Sequence, residues 1–412
     1  MSEIWPKPFF YASTSMIGFY TQKWDSLYPS LNEAGKFWLD LAKFFNGHNC
    51  FISRNGNWKS PWQFEVVPGF EMPKINPSFS KSFSEITDKR ALDIRELVRK
   101  SDQKIALYYS GGIDSTICLT ALLRNLNVEE LNNIHVCLSA ESIHENPFFF
   151  EKFIYNKLKI IDSSTNQYSD ILAKGFMAIT ADQGDCLFGT EAAVQLYRML
   201  KSLCGQLSTI SRNKIENLLK NHSASEIAYS EFADIIRLYF ACDRNPAFGS
   251  TLYDLIVKNI QTSTVHIYSL HDFFWWIIFN LKYMHCATRS VISYSGDQDQ
   301  EQALQHGIIN WFNHPEYRLW SLVNNNNGEK IRGTSPTAYK WAGRQYIYSF
   351  DKNDWYLHHK MKLASLGSII SRSAKIIDRI SLFGMSNNYK ILRLTDPEVI
   401  EKVSLSLHRF SF

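Results

Sequence analysis

The sequence lacks the features that mark membrane, secreted and zinc-binding proteins. Its most apolar stretch, residues 273–279, ends at Asn280 and is far shorter than the ~20 residues of a membrane-spanning helix. Residues 1–30 contain no basic segment followed by an apolar core, so we expect no signal peptide. The seven cysteines include no Cys-x-x-Cys pair, which argues against a zinc knuckle. We therefore expect a cytoplasmic protein without a membrane segment.

An excess of charge of one sign is also missing. The 412 residues have a net charge of +4, and 20% of them are charged. Nucleic-acid-binding domains usually show a concentrated basic stripe instead. We therefore expect no nucleic-acid partner. The expected substrate is a small molecule or a peptide.

The composition and the apolar periodicity of the sequence predict three segments. Residues 1–84 are rich in aromatic residues, Pro, Asn and Ser and predict a small α+β segment of unknown role. Residues 85–203 alternate short apolar runs with helical periodicity, which predicts an α/β domain with a parallel, doubly wound sheet. Residues 204–412 predict a mostly helical region that binds substrate or covers it. The predicted strands are 104–109, 134–138, 158–161 and 176–180, and the predicted helices are 31–45, 88–100, 114–125, 148–156, 168–173, 187–203, 227–241, 252–260 and 272–284.

A glycine-rich loop joins the first predicted strand to a helix. It reads Ser110-Gly111-Gly112-Ile113-Asp114-Ser115. Its glycines let the backbone approach an anion, and a helix N-terminus directs N–H groups at that anion. Asp114 would repel phosphate, so it is a candidate Mg²⁺ ligand. The loop has neither the Gly-Lys-Ser/Thr ending of a Walker A loop nor a Gly-x-Gly-x-x-Gly fingerprint. A plain turn with an Asp-Ser helix cap is the alternative.

The loop resembles the signature of the N-type ATP pyrophosphatases, the PP-loop superfamily, which includes asparagine, GMP, NAD and argininosuccinate synthetases and the 7-cyano-7-deazaguanine synthases. The resemblance implies that ATP adenylates a carbonyl or carboxyl oxygen, that pyrophosphate leaves and that a nucleophile then displaces AMP. ATP and Mg²⁺ are the expected cofactors. The expected nucleotide contacts are Tyr108, Ser110, Gly111, Gly112, Asp114 and Ser115, with Leu138, at the end of the second predicted strand, near the adenine.

A second loop follows the strand predicted over 176–180. It reads Ala181-Asp182-Gln183-Gly184-Asp185-Cys186-Leu187-Phe188-Gly189 and resembles the Gly-Glu-Gly-x-Asp-Glu-Leu-Phe-Gly segment of asparagine synthetases, β-lactam synthetases and lasso-peptide cyclases. By this resemblance Asp182 falls on the catalytic glutamate, and Asp185 joins Asp114 as a Mg²⁺ ligand. Ala181, Gln183 and Cys186 depart from the pattern, and Asp182 is one methylene shorter than glutamate. Helix capping by the aspartates is the alternative.

Members of this family also carry a catalytic lysine late in the helical region. Residues 354–366 occupy about that position. Lys362 aligns best with it, Lys360 is the second choice and Lys340 the third. A solvated surface charge is the alternative for any one of them. The resemblance covers residues 85–203 with specific motifs and extends weakly to residue 370.

We expect no glutamine hydrolysis of the kind that the N-terminal glutaminase domain of asparagine synthetases performs. Residues 1–103 are roughly half the length it needs, and Ser2 stands where that domain exposes a cysteine. The expected nucleophile is therefore ammonia, free or from a partner, or an amine of the substrate. The sequence predicts an asparagine-synthetase-like ligase that forms an amide or amidine and releases AMP and pyrophosphate. A 7-deazaguanine- or tRNA-type base-modifying enzyme and a catalytically inactive nucleotide-binding scaffold are the alternatives.

Overall fold

The structure is a computed structural model that divides the chain into two compact units. The sheet unit comprises Ser82–Ala181, Gln302–Trp311 and Gly343–Phe412, and the helical unit comprises Met1–Lys81, Asp182–Glu301 and Phe312–Ala342. The described residues are 71–101, 103–163, 168–189, 226–241, 246–283, 308–324 and 339–360, with 29, 32–33, 36, 54, 213–214, 216–218, 221–222, 286 and 330.

A five-stranded parallel sheet forms the centre of the sheet unit. Its strands are β1 (Ile105–Tyr108), β2 (Ile134–Leu138), β3 (Lys159–Asp162), β4 (Met177–Thr180) and β5 (Ile308–Asn310). Ile105, at the start of β1, pairs with Ile134 on one side and with Met177 on the other. Ile105, Ala106 and Leu107 are fully buried, as expected of a parallel strand covered on both faces. The α/β prediction is confirmed at this level.

Thirteen α-helices lie within the described residues. They are α1 (Phe83–Ser101), α2 (Ile113–Asn125), α3 (Val128–Leu131), α4 (Ala140–Glu145), α5 (Pro147–Phe149), α6 (Tyr168–Ala173), α7 (Gly184–Phe188), α8 (Ala233–Ala241), α9 (Pro246–Ile260), α10 (Leu270–Trp276), α11 (Pro315–Val323), α12 (Trp341–Asp351) and α13 (Asp354–His359). Two π-helical turns, Phe150–Ile154 and Ile277–Lys282, continue α5 and α10, and a 3₁₀ turn, Tyr229–Phe232, precedes α8. Among these residues, no helix has the length and apolarity that crossing a membrane requires.

The order of the strands reverses direction at β1. The order is β3-β2-β1-β4-β5, so the chain builds outward from β1 in one direction and then in the other. Ligands of open parallel sheets bind outside the carboxyl ends of the strands where this reversal occurs. The glycine loop leaves β1 at that edge, and Ala181 follows β4 at the same edge, because the two strands are parallel.

The helical unit holds α7 in place through its backbone carbonyls. Leu187 O accepts hydrogen bonds from Trp275 Nε1 at 3.2 Å and Ser321 Oγ at 2.6 Å. Phe188 O accepts one from His271 Nε2 at 3.1 Å. Gly189 then turns the chain with φ +83°, and a Cβ there would lie 3.0 Å from His271 Nε2. The Leu-Phe-Gly end of the second loop is therefore a structural anchor.

His271 makes the stability of this anchor depend on pH. Burial, and then Lys330, lower the pKa of its imidazole to about 3, whereas an unfolded histidine titrates near 6.5. The unfolded chain therefore binds the extra proton first, and the stability present above pH 6.5 is lost as pH falls toward 3. From pH 7 to pH 5 we expect this site to lose about 2 kcal/mol of unfolding free energy.

Urea unfolding of the wild type and of His271→Gln at pH 7 and pH 5 measures that loss. The glutamine keeps an N–H for Phe188 O but does not titrate, so its stability should fall less between the two pH values. Equal losses in the two proteins would show that His271 is not protonated selectively on unfolding.

Candidate functional site

Hydroxyl groups organise the glycine loop from within. Ser115 Oγ accepts a hydrogen bond from Ser110 N at 3.1 Å and donates one to Gly112 O at 3.2 Å. Thr116 Oγ1 also donates to Gly112 O, at 2.8 Å. Gly112 is the N-cap residue of α2 and makes no side-chain cap, so Asp114 lies inside the first turn rather than at the cap. The Asp-Ser cap considered from the sequence is therefore not what begins α2.

A second feature of the glycine loop is the close contact between Gly111 and α4. Gly111 has φ +74°, and a Cβ there would lie 2.2 Å from Ser142 O and 2.7 Å from Glu145 Cβ. Both distances are shorter than real Cβ contacts, and the φ is one that L side chains rarely adopt. Only glycine fits this position, and the loop is pressed directly against the end of α4.

Helix α13 supports the opposite side of the loop. Tyr356 is buried, and its hydroxyl oxygen lies 3.3 Å from Gly111 O and 3.4 Å from Thr116 Oγ1, so these two acceptors share its single hydrogen. The guanidinium of Arg344, fully buried on α12, donates to the carbonyls of Tyr356, Leu357 and Lys360 at 3.1, 3.1 and 2.7 Å. These bonds satisfy carbonyls that a helix C-terminus otherwise leaves without partners. The segment that ends at Lys360 is thus held in a defined conformation against the loop.

Lys360 forms a buried ion pair beside the loop. Its Nζ lies 2.5 Å from Glu145 Oε1, and the two side chains are 3% and 10% exposed. Burial lowers the pKa of the Lys360 ammonium, and Glu145 opposes this by raising it. Lys360 is therefore not a solvated surface lysine. Glu145 was not among the sequence-predicted site residues, and the only sequence signal for it is an acidic residue following β2.

The second loop places a carboxylate on a lysine within the helical unit. Gln183 is the N-cap residue of α7 but makes no side-chain cap, and Asp182 precedes it, partly exposed. Asp185 Oδ1 lies 2.6 Å from Lys340 Nζ. Lys340 is buried, with 4% of its side chain exposed. Lys340, the third choice for the catalytic lysine, is thus paired with Asp185, a predicted metal ligand.

The remaining predicted site residues are Tyr108, Leu138 and Lys362. Tyr108 ends β1 and packs against a buried cluster that contains Cys137. Leu138 ends β2, is fully buried, and its carbonyl accepts a hydrogen bond from Ser163 N at 3.0 Å. Lys362 lies outside the described residues. The nucleotide contacts expected of Tyr108 and Leu138 stay predictions.

Comparison with known proteins adds no assignment: no protein-family model, curated protein or solved structure matches the chain. Within the described part of the chain, no three His, Cys, Asp or Glu side chains are grouped so that they would hold a metal ion by themselves.

Two glycines with the same backbone conformation allow the contact at Gly111 to be measured. Gly175 has φ +76°, and a Cβ there would meet nothing within 4 Å, so Gly175→Ala introduces backbone strain alone, about 1 kcal/mol. Gly111→Ala adds overlap with α4, and overpacking of this kind costs about 1–3 kcal/mol more. Urea unfolding of both variants should therefore show a clearly larger loss for Gly111→Ala. Equal losses would mean that the loop moves away from α4 without cost.

Proposed function

We propose that this protein is an ATP-dependent ligase that adenylates a substrate carboxyl or carbonyl oxygen and joins it to ammonia or an amine, with release of AMP and pyrophosphate. The observation that carries the proposal is the buried Lys360–Glu145 pair next to Gly111, at the carboxyl end of the central strand. A cation held at a glycine loop of this kind suits the stabilisation of charge on a reacting phosphate.

The proposed fold is an adenine-nucleotide-hydrolase-like, doubly wound sheet, followed by a mostly helical region that contacts substrate and preceded by a small α+β segment. The strand order and the position of β1 at its reversal support this proposal. The motif loops after β1 and β4 support the asparagine-synthetase-like assignment. Ammonia would come from solution or from a partner protein, since the proposal includes no glutamine hydrolysis.

The donor set of the glycine loop fits a nucleotide phosphate with its metal ion. Gly111 lies too close to α4 for any side chain, and Gly112 brings no side chain to the amides that open α2. Such amides bind phosphate oxygens well. Asp114 is the proposed Mg²⁺ ligand in this loop, and Asp185 is proposed as a further ligand from the resemblance of its own loop. Mg²⁺ would neutralise phosphate charge as pyrophosphate leaves.

Each further residue has a separate proposed role. The ammonium of Lys360 stabilises negative charge that develops at the α-phosphate when the carboxyl oxygen attacks and the bond to pyrophosphate breaks. Glu145 holds that ammonium in place and favours its charged form. Asp182 accepts a proton from the nitrogen that then displaces AMP.

A nucleotide-binding scaffold without catalysis is the second candidate. The observation in its favour is the ion pair between Asp185 and Lys340, which engages a carboxylate that the ligase needs for metal binding. The departures Ala181, Gln183 and Cys186 from the family pattern point the same way. The two candidates differ in their products, because a scaffold binds ATP but forms no pyrophosphate.

The test is a product analysis with a panel of carboxylates. Protein, ATP, Mg²⁺, ammonium and each carboxylate are incubated, and AMP, ADP and pyrophosphate are quantified. We expect AMP and pyrophosphate in equal amounts, and transfer of ¹⁸O from a labelled carboxylate into AMP. ADP with inorganic phosphate would contradict the proposal, and ATP binding without turnover on any acceptor would favour the scaffold.

The variant Lys360→Met tests the proposed role of the buried Lys360–Glu145 pair directly. Removing one charge-stabilising donor typically lowers kcat by about 10²–10³-fold, and we expect a loss of that order with a smaller change in the KM for ATP. Lys89→Met is the matched control, since Lys89 forms an ion pair with Asp93 on the exposed surface of α1 at 2.7 Å. Its kcat should stay at the wild-type value. Unchanged turnover in Lys360→Met, or in Asp114→Ala or Asp182→Ala, would show that the mechanism is wrong.

A further inference from the structure

The ion pair between Lys340 and Asp185 joins a buried cation to a carboxylate that solvent still reaches. The side chain of Lys340 is 4% exposed, whereas that of Asp185 is 29% exposed. The ammonium lies 2.6 Å from Oδ1, within the range of a charge-assisted hydrogen bond. A metal ion that arrives from solution therefore finds Asp185 Oδ1 already paired with the Lys340 ammonium.

The backbone at Lys340 adopts a conformation that is unusual for a residue with a side chain. Lys340 has φ +57°, in the left-handed region that residues with a Cβ seldom occupy. It immediately precedes α12, and the amide of the next residue, Trp341, donates to Lys330 O at 3.1 Å. Conformations of this kind persist where the surrounding structure holds them, and they concentrate at functional sites.

We propose that Lys340 is a resident cation of Asp185 that weakens the binding of a divalent metal ion to this carboxylate. The inference rests on the proposed function, which makes Asp185 a metal ligand. The charges of Lys340 and Asp185 cancel, so the pair offers little net attraction to a bare divalent ion. Nearby cations and a bound metal ion compete for the same carboxylate lone pairs.

A metal ion that binds Asp185 has to displace the Lys340 ammonium from Oδ1. Lys340 is therefore a positioning residue that acts through Asp185 and sets how tightly this carboxylate holds a metal ion.

Mn²⁺ alone is the probe, titrated into the full chain without nucleotide and followed by the loss of its free EPR signal. We expect Lys340→Met to bind Mn²⁺ at least tenfold more tightly than the wild type. Lys340→Arg restores a cation and should bind as weakly as the wild type. Lys258→Met removes one exposed lysine of the same unit and should leave Mn²⁺ affinity unchanged. Adding Asp185→Asn to Lys340→Met should abolish the gain.

Two results would overturn the inference. One is Mn²⁺ affinity of Lys340→Met within twofold of the wild type; the other is a gain that survives in the Lys340→Met, Asp185→Asn double variant. If circular dichroism shows that Lys340→Met does not fold, Lys340→Gln replaces it, because its amide keeps a hydrogen bond to Asp185 without the charge. The proposed function fails by a different measurement, the absence of binding of α,β-methylene ATP by the wild type.

Discussion

The contact between Gly111 and the end of α4 is the constraint on which the rest of the candidate site depends. A backbone that approaches Ser142 O and Glu145 this closely leaves no room for a side chain. The carbonyl of Gly111 also accepts a hydrogen bond from the Tyr356 hydroxyl. The loop therefore contacts both α4 and α13. Shifting either neighbour would shift the amides that open α2. The two glycines of the motif are therefore different in kind, since a Cβ at Gly112 would meet only Ser110 Oγ, at 3.3 Å.

Each compact unit holds a buried lysine on a carboxylate beside one of the motif loops. Taking such charges out of water costs several kcal/mol per ion, and well-packed apolar residues often serve stability as well or better. An exposed pair such as Lys89–Asp93 contributes at most about 1 kcal/mol and costs little. Stability alone is thus a poor reason to bury Lys360–Glu145 and Lys340–Asp185. Chemistry that needs a fixed charge in a place shielded from water is a better one.

Several strands and helices and the parallel sheet could be predicted from the sequence, whereas some pairings between distant parts of the chain could not. β2 has the predicted bounds, and α2 begins one residue before its predicted start, because apolar periodicity reports local structure. β5 was missed because it has three residues and pairs with β4 far back along the chain. The helix predicted over 148–156 is instead α5 with the π-helical turn Phe150–Ile154, whose altered period no apolar pattern marks. Glu145 was missed for a similar reason, because only burial against Lys360 distinguishes it from a surface acid.

The positive charge beside the glycine loop comes from outside the loop, so the motif alone does not define the candidate site. A Walker A loop carries its phosphate-binding lysine within the motif, whereas the loop from Ser110 to Ser115 contains none. The buried lysine beside this loop comes from the end of α13 and is held by Arg344 through backbone carbonyls. The phosphate chemistry proposed here therefore requires that α12 and α13 be folded, even though neither contains a recognisable ATP motif. A sequence motif predicts where an anion would bind, and the tertiary structure decides whether a positive charge lies beside that place.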